Sequence, residues 1–225
     1  MYRHQRNMPV SFQIIFISLL MVSSCNPAND PGSIIRAVDT TNIEKENPDY
    51  IEQKLRSRQL YKEIMQVTSS EKMVTFVNFI ADSLIPCWYG TKWNFNGTTE
   101  TPKQGTIACG YFVTTVIRDS GIPVQRIKLA QCASEEMIKS VCESETIKRY
   151  RNIEFQTFIS AITKTGFGLY VIGLDNHTGF IFNDGKKVWF INSSYISPGC
   201  VVKEEASESV ILQNSKYKVI GKLRI

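Results

Sequence analysis

Cys109 heads the run Ala108-Cys109-Gly110-Tyr111-Phe112-Val113-Thr114-Thr115-Val116, a thiol on what reads as the first turn of a buried helix. A thiol is a weak nucleophile at its ordinary pKa, and both a helix N-terminus and a neighbouring imidazole favour the thiolate. Imidazole is scarce here. The chain holds two histidines, and only His177 lies beyond the apolar N-terminal run. It stands in Asp175-Asn176-His177-Thr178-Gly179-Phe180, 177 − 109 = 68 residues after the cysteine. Asn192, in Phe190-Ile191-Asn192-Ser193-Ser194, follows 192 − 177 = 15 residues later. Nucleophile, base and polar orienter are the groups that acyl transfer through a covalent thioester requires. Singly, each has a plainer reading, the cysteine as a small buried hydrophobe and the histidine as a strand-end residue bonded to backbone. Their conjunction favours catalysis.

These residues need elements to hold them, and the pattern supplies a hairpin. His177 to Phe182 and Lys187 to Ile191 read as strands joined by an Asp184-Gly185 turn. Seven or so residues out and as many back would set His177 beside Asn192, facing the Cys109 helix if the sheet packs on it. Leu169 to Leu174 reads as a buried strand before the hairpin, with Val210 to Leu212 and Tyr217 to Leu223 as strands after it. Upstream the period is helical: Asn47-Pro48-Asp49 opens a helix through Gln66, and Ser69 or Ser70 opens a second that Pro86 ends. Trp88 to Gly105 is a long loop, and the Cys109 helix runs to about Ser120. Val124 to Leu129 suggests a short strand, and Ser134 and Asn152 begin further helices, the latter reaching Thr163. Helices first and an antiparallel sheet afterwards make an α+β fold.

Three short motifs add a resemblance. Trp93-Asn94-Phe95-Asn96-Gly97 with Pro102, Gly105 and Cys109-Gly110, then His177-Thr178-Gly179-Phe180-Ile181, then Phe190-Ile191-Asn192-Ser193, resemble the NlpC-type cell-wall peptidases, small papain-like cysteine hydrolases. The resemblance spans about Tyr89 to Tyr195. It implies a papain-like fold with the nucleophile helix packed on the sheet, and a cysteine peptidase or amidase cutting peptidoglycan peptides through Cys109, His177 and Asn192. Ala108 stands where the family usually has Asp, Gly110 where it often has Ser, Trp93 where Tyr is expected, and Asn192 where His is common. The segment from Pro48 to Leu84 has no counterpart. For the oxyanion, the Cys109 N–H is the natural first donor, with Gln104, the Trp93 N–H or the Tyr89 hydroxyl as the second. Trp88, Trp93 and Phe95 are candidates for a substrate wall, with aromatic core packing the competing reading. The rival class is a non-catalytic envelope-binding lipoprotein on a hydrolase-like fold; an amidase or acyl transferase with a non-wall substrate is a third option.

The ends speak to location. Arg3, His4 and Arg6 precede the apolar run Ser11 to Met21, which is short for a membrane span. Val22-Ser23-Ser24-Cys25 resembles a bacterial lipobox, implying cleavage before Cys25, lipidation there and an exported, membrane-anchored product; an ordinary signal peptide is the alternative. Residues 1–24 are thus a leader, 25–43 a polar tether and 44–225 one domain. The balance of 26 Lys and Arg against 21 Asp and Glu gives +5, and without Arg3 and Arg6 it is 24 − 21 = +3. The basic residues are scattered, which gives nucleic-acid binding no support but suits an anionic polymer such as cell wall. Cys87, Cys132, Cys142 and Cys200 allow three disulfide pairings. No Cys-x-x-Cys pair or histidine cluster argues for zinc, and the reading calls for no cofactor.

Overall fold

Polar side chains of Ser69, Glu154 and Ser209 cap three of the described helices, and turns join the strands. The computed structural model describes residues 48–225; the leader, Cys25 and the tether lie outside the described residues. Helix α1 spans Pro48–Gln66, with Asp49 at its positive end. Helix α2, Ser70–Phe79, is capped by the Ser69 hydroxyl, which accepts the Lys72 N–H at 3.2 Å. Contrary to expectation, Pro86 does not end the helical path. A π turn over Ile80–Leu84 and a 3₁₀ turn over Ile85–Trp88 carry it on, with Pro86 early in the new turn where no N–H is needed.

The loop that follows is pinned by two short parallel strands, β1 (Lys92–Trp93) and β2 (Thr106–Ile107), at its ends. Helix α3, Cys109–Asp119, comes directly after. The strand expected at Val124–Leu129 is instead helix α4, Arg126–Ala130. Tertiary anchoring decides it. The Arg126 guanidinium donates to Thr115 Oγ1 at 2.7 Å and to the carbonyls of Thr98 and Thr99 at 2.8 and 3.0 Å. Gly110 lets α4 come close, since a Cβ there would sit 2.5 Å from the Ala130 carbonyl oxygen.

Helix α5 (Ser134–Val141), strand β3 (Lys148–Arg151) and helix α6 (Phe155–Thr163) lead into the central strands. These are β4 (Gly168–Leu174), β5 (Thr178–Asn183), β6 (Val188–Ser193) and β7 (Val201–Glu205). The expected strand at Val210–Leu212 is helix α7, Val210–Asn214, because Ser209 caps it by accepting the Leu212 N–H at 3.3 Å. Strand β8, Tyr217–Lys222, closes the sheet.

The six strands run in the order β3-β8-β4-β5-β6-β7, every neighbour antiparallel. Both edges, β3 and β7, went unforeseen because they carry charges, Lys148-Arg149-Tyr150-Arg151 and Val201-Val202-Lys203-Glu204-Glu205, a usual device of edge strands. Alternation splits the core between the faces. Leu169, Val171, Phe180, Phe182 and Val219 pack with α1, α2, α3 and α5; Tyr170, Ile172, Ile181, Phe190 and Ile220 pack with α6 and α7. The fold is α+β, an antiparallel sheet with helices on both faces.

Helix α1 and the 3₁₀ turn buttress α3. Tyr50 meets the Trp88 ring edge-on at 5.5 Å, Trp88 meets Phe112 at 6.2 Å, and Phe112 meets Phe180 of β5 at 5.9 Å. At the far end of α3, Asp119 is fully buried and accepts from Tyr50 Oη at 2.8 Å, Arg118 Nε at 2.9 Å and Arg58 Nη2 at 3.3 Å. A carboxylate at a helix C-terminus is disfavoured by the dipole, and these donors offset it.

Candidate active site

The first turn of α3 opens into a cleft of about 730 Å³, and Cys109, His177, Trp93 and Phe95 all line it. Three local features aim the groups. Asp184 makes the hairpin turn, its Oδ1 accepting the N–H groups of Lys186 and Lys187 at 2.7 Å. The β5–β6 register then sets Phe180 against Ile191, so the residues just beyond converge at one end of the pair. There Nε2 of His177 hydrogen-bonds Oδ1 of Asn192 at 2.9 Å. Gly179 makes room for that amide, because a Cβ would lie 3.0 Å from the Asn192 Cβ and 2.8 Å from the Ile191 carbonyl. Finally Ser193 Oγ, fully buried, donates to the Ile107 carbonyl at 2.7 Å, tying the end of β6 to the chain two residues before Cys109.

With the amide oxygen accepting, His177 donates from Nε2–H and keeps a lone pair on Nδ1, the form that can take a proton. Tyr195 meets the imidazole edge-on at 5.1 Å and Phe190 at 6.3 Å. The ring is 5% exposed, and burial lowers its pKa from 6.5 to about 4 against the opposing pull of the Asn192 bond. Burial also pushes the Cys109 thiol up, opposed by hydrogen bonds from the N–H groups of Thr178, Gly110 and Cys109 itself. Burial thus disfavours the charged form of both groups, and it works against the pull towards thiolate expected from helix terminus and imidazole.

Ala108 is the N-cap of α3, with extended backbone and no side-chain cap bond. The first-turn N–H groups thus keep their capacity to bind negative charge near the sulfur. That bears on the oxyanion, for which the other sequence candidates are placed poorly. Gln104 sits in a turn, its N–H donating to the Thr101 carbonyl at 3.3 Å, and does not line the cleft. Tyr89 packs against the core with its hydroxyl buried, so it does not reach the cleft either. Trp93 is in the cleft, but its backbone N–H is taken by the Gly199 carbonyl at 2.8 Å.

Of the aromatic wall candidates, Trp88 is a core residue, fully buried between Tyr50 and Phe112. Phe95 is on the rim, 80% exposed. Trp93 faces Tyr195 at 6.2 Å. Sequence reasoning missed Tyr195, Tyr111, Gln131 and Asn176, which also line the cleft. Tyr195 had a signal, standing three residues beyond Asn192; the others are brought in by α3, α4 and the β4–β5 turn. Cys87, Cys132, Cys142 and Cys200 are all free thiols, so none of the three pairings forms. Among the described residues no cluster of His, Cys, Asp and Glu could hold a metal, and no helix is long and apolar enough to cross a membrane. No protein-family model matches the chain, and no curated protein or solved structure is significantly similar to it.

Proposed function

We propose that this protein is a cysteine hydrolase that cleaves an amide or ester through Cys109, His177 and Asn192. The observation that carries the reading is a single one. An imidazole fixed by a buried amide at 2.9 Å shares a cleft with a thiol on an uncapped helix N-terminus. Three residues far apart in sequence converge there with the tautomer that a general base needs. His177 would take the thiol proton as Sγ attacks, then give it to the leaving group; Asn192 holds the ring. The N–H groups at the start of α3 are suited to the negative charge that develops.

The motifs around Trp93–Gly97, Cys109 and His177–Ile181 extend the proposal to a papain-like, NlpC-type enzyme; wall peptides as substrate rest on that likeness alone, and the lining of the cleft bears on that choice. Lipidation of Cys25 and attachment to a bacterial envelope membrane belong to the same proposal, and intact mass of the mature chain tests them. The test of the activity is turnover of peptidoglycan fragments and small activated amides and esters by wild type and Cys109→Ala. Mass spectrometry for a covalent acyl adduct on Cys109 accompanies it. Turnover that Cys109→Ala retains in full would refute the nucleophile, and the absence of both turnover and adduct would favour the binding-protein reading.

A further inference from the structure

The cleft carries no ionic partner for a substrate. Among the described residues that line it there is no Asp, Glu, Lys or Arg; the walls are Trp93, Phe95, Tyr111 and Tyr195, with amide side chains between them. Two charges beside the cleft, Arg126 and Asp175, are engaged elsewhere. Arg126 lies 4.8 Å behind the Tyr111 ring and is held by Thr115 and the Thr98 and Thr99 carbonyls. Asp175, next to the cleft residue Asn176, accepts from the N–H groups of Lys216 and Tyr217 at 2.6 and 3.0 Å and from Ser215 Oγ at 3.1 Å. A charged group entering this space would lose hydration and gain no counter-ion. An apolar group would instead cover the rim face of Phe95, now 80% exposed.

We infer that the groups flanking the scissile bond are uncharged and apolar or aromatic, so that the enzyme takes a neutral acyl amide or ester in preference to a charged peptide. The inference rests on Cys109 being the nucleophile. In the acylation step the Sγ–C bond forms, the thiol proton passes to His177 Nδ1, and the carbonyl carbon's bond to N or O breaks as that proton moves to the leaving atom. Water then attacks the thioester, gives a proton to His177, and releases the carboxylic acid as Sγ is reprotonated. Wall stem peptides, which carry carboxylates and amines near their amide bonds, fit this cleft worse than neutral acyl groups do.

The test is a matched series on the full chain: 4-nitrophenyl esters of butanoic acid, succinic acid and 4-(trimethylammonio)butanoic acid. A parallel set of butanoyl anilides carries a neutral, anionic or cationic ring substituent. Neutral members should exceed each charged counterpart by ~10-fold or more in Cys109-dependent kcat/KM, the low end for a charge desolvated without a partner. Phe95→Ala should narrow that preference by lowering the neutral rates. A charged member within tenfold of its neutral counterpart, or a charged wall muropeptide cut faster than the neutral esters, overturns the inference while leaving the hydrolase reading intact. No Cys109-dependent turnover or acylation with any member overturns both.

Discussion

Mild acid should weaken this fold, chiefly through one residue. His177 is neutral in the folded state until about pH 4, whereas the unfolded imidazole takes its proton near 6.5. Between those values the unfolded chain binds more protons, so stability rises with pH there. The contribution is whole above 6.5 and is lost as pH falls towards 4. Each pH unit of that window is worth about 1.4 kcal/mol, so close to 2 kcal/mol is gone at pH 5 and about 3 kcal/mol at pH 4. For a domain of ordinary stability that is a large share. The assay is urea denaturation followed by tryptophan fluorescence at pH 7.5, 6 and 5, for wild type and His177→Gln. Glutamine keeps a polar group at the position but does not titrate. The stability difference between the two proteins should therefore move by about 2 kcal/mol from pH 7.5 to 5, in favour of the variant at the lower pH. Asp175 and Asp184, both held below the usual carboxylate range by N–H and hydroxyl donors despite opposing desolvation, also weaken the fold in acid. They titrate lower and equally in both proteins. A difference that stays flat with pH, or a His177 resonance that titrates near 6.5 in the folded chain, would refute the reasoning.

Three other outcomes are expected. Alkylation of Cys109 by iodoacetamide, read by peptide mass mapping, should be slow at pH 6 and climb into the alkaline range, because burial holds the thiol protonated; a plateau of high reactivity at pH 5–6 would mean a preformed thiolate–imidazolium pair. Ala108→Ser should raise stability by about 1 kcal/mol by capping α3, while slowing turnover because the hydroxyl competes for N–H groups near the sulfur; urea midpoints and kcat on one ester check both signs. Arg126→Met should cost about 3 kcal/mol, leaving the Thr98 and Thr99 carbonyls without their donor, and should raise KM more than it lowers kcat by loosening the cleft loop. Arg126→Lys should restore only part, since an ammonium cannot span three acceptors as the guanidinium fork does.

What could be read in the sequence divides by the range of the forces involved. The β5–β6 hairpin follows from Asp184-Gly185 and flanking apolar runs, and the start of α1 from Pro48 and Asp49, all local signals. Segments α4 and α7, five residues each, were misread as strands because apolar content at that length carries no period; Arg126 and the Ser209 cap decide them. Trp88 could not be told from a cleft aromatic until Tyr50, 38 residues earlier in the chain (88 − 50), was seen to lie against it. Likewise, nothing near Trp93 in sequence shows that its N–H is consumed by Gly199. The convergence of Cys109, His177 and Asn192 was legible because a hairpin and a helix start are local; the polarity of their surroundings was not, because it depends on what seals them.

That sealing bears on the residues at 108 and 110. An aspartate at 108 would cap α3 and place a negative charge beside the sulfur, raising the thiol further and occupying the N–H groups an oxyanion needs. Alanine does neither. A side chain at 110 would collide with the Ala130 carbonyl, so glycine there permits α4 to close over the first turn of α3 and bring Ala130 and Gln131 into the cleft. Burial desolvates both Cys109 and His177, which accounts for their opposite pKa shifts by one cause. Burial disfavours charge on both partners, which suits neutral groups better than charged ones. In the proposed reaction, charge would appear only as Sγ attacks, on the imidazolium and on the oxyanion. The Asn192 amide and the uncapped N–H groups of α3 are already oriented towards it, so little reorganisation is needed at the moment of reaction.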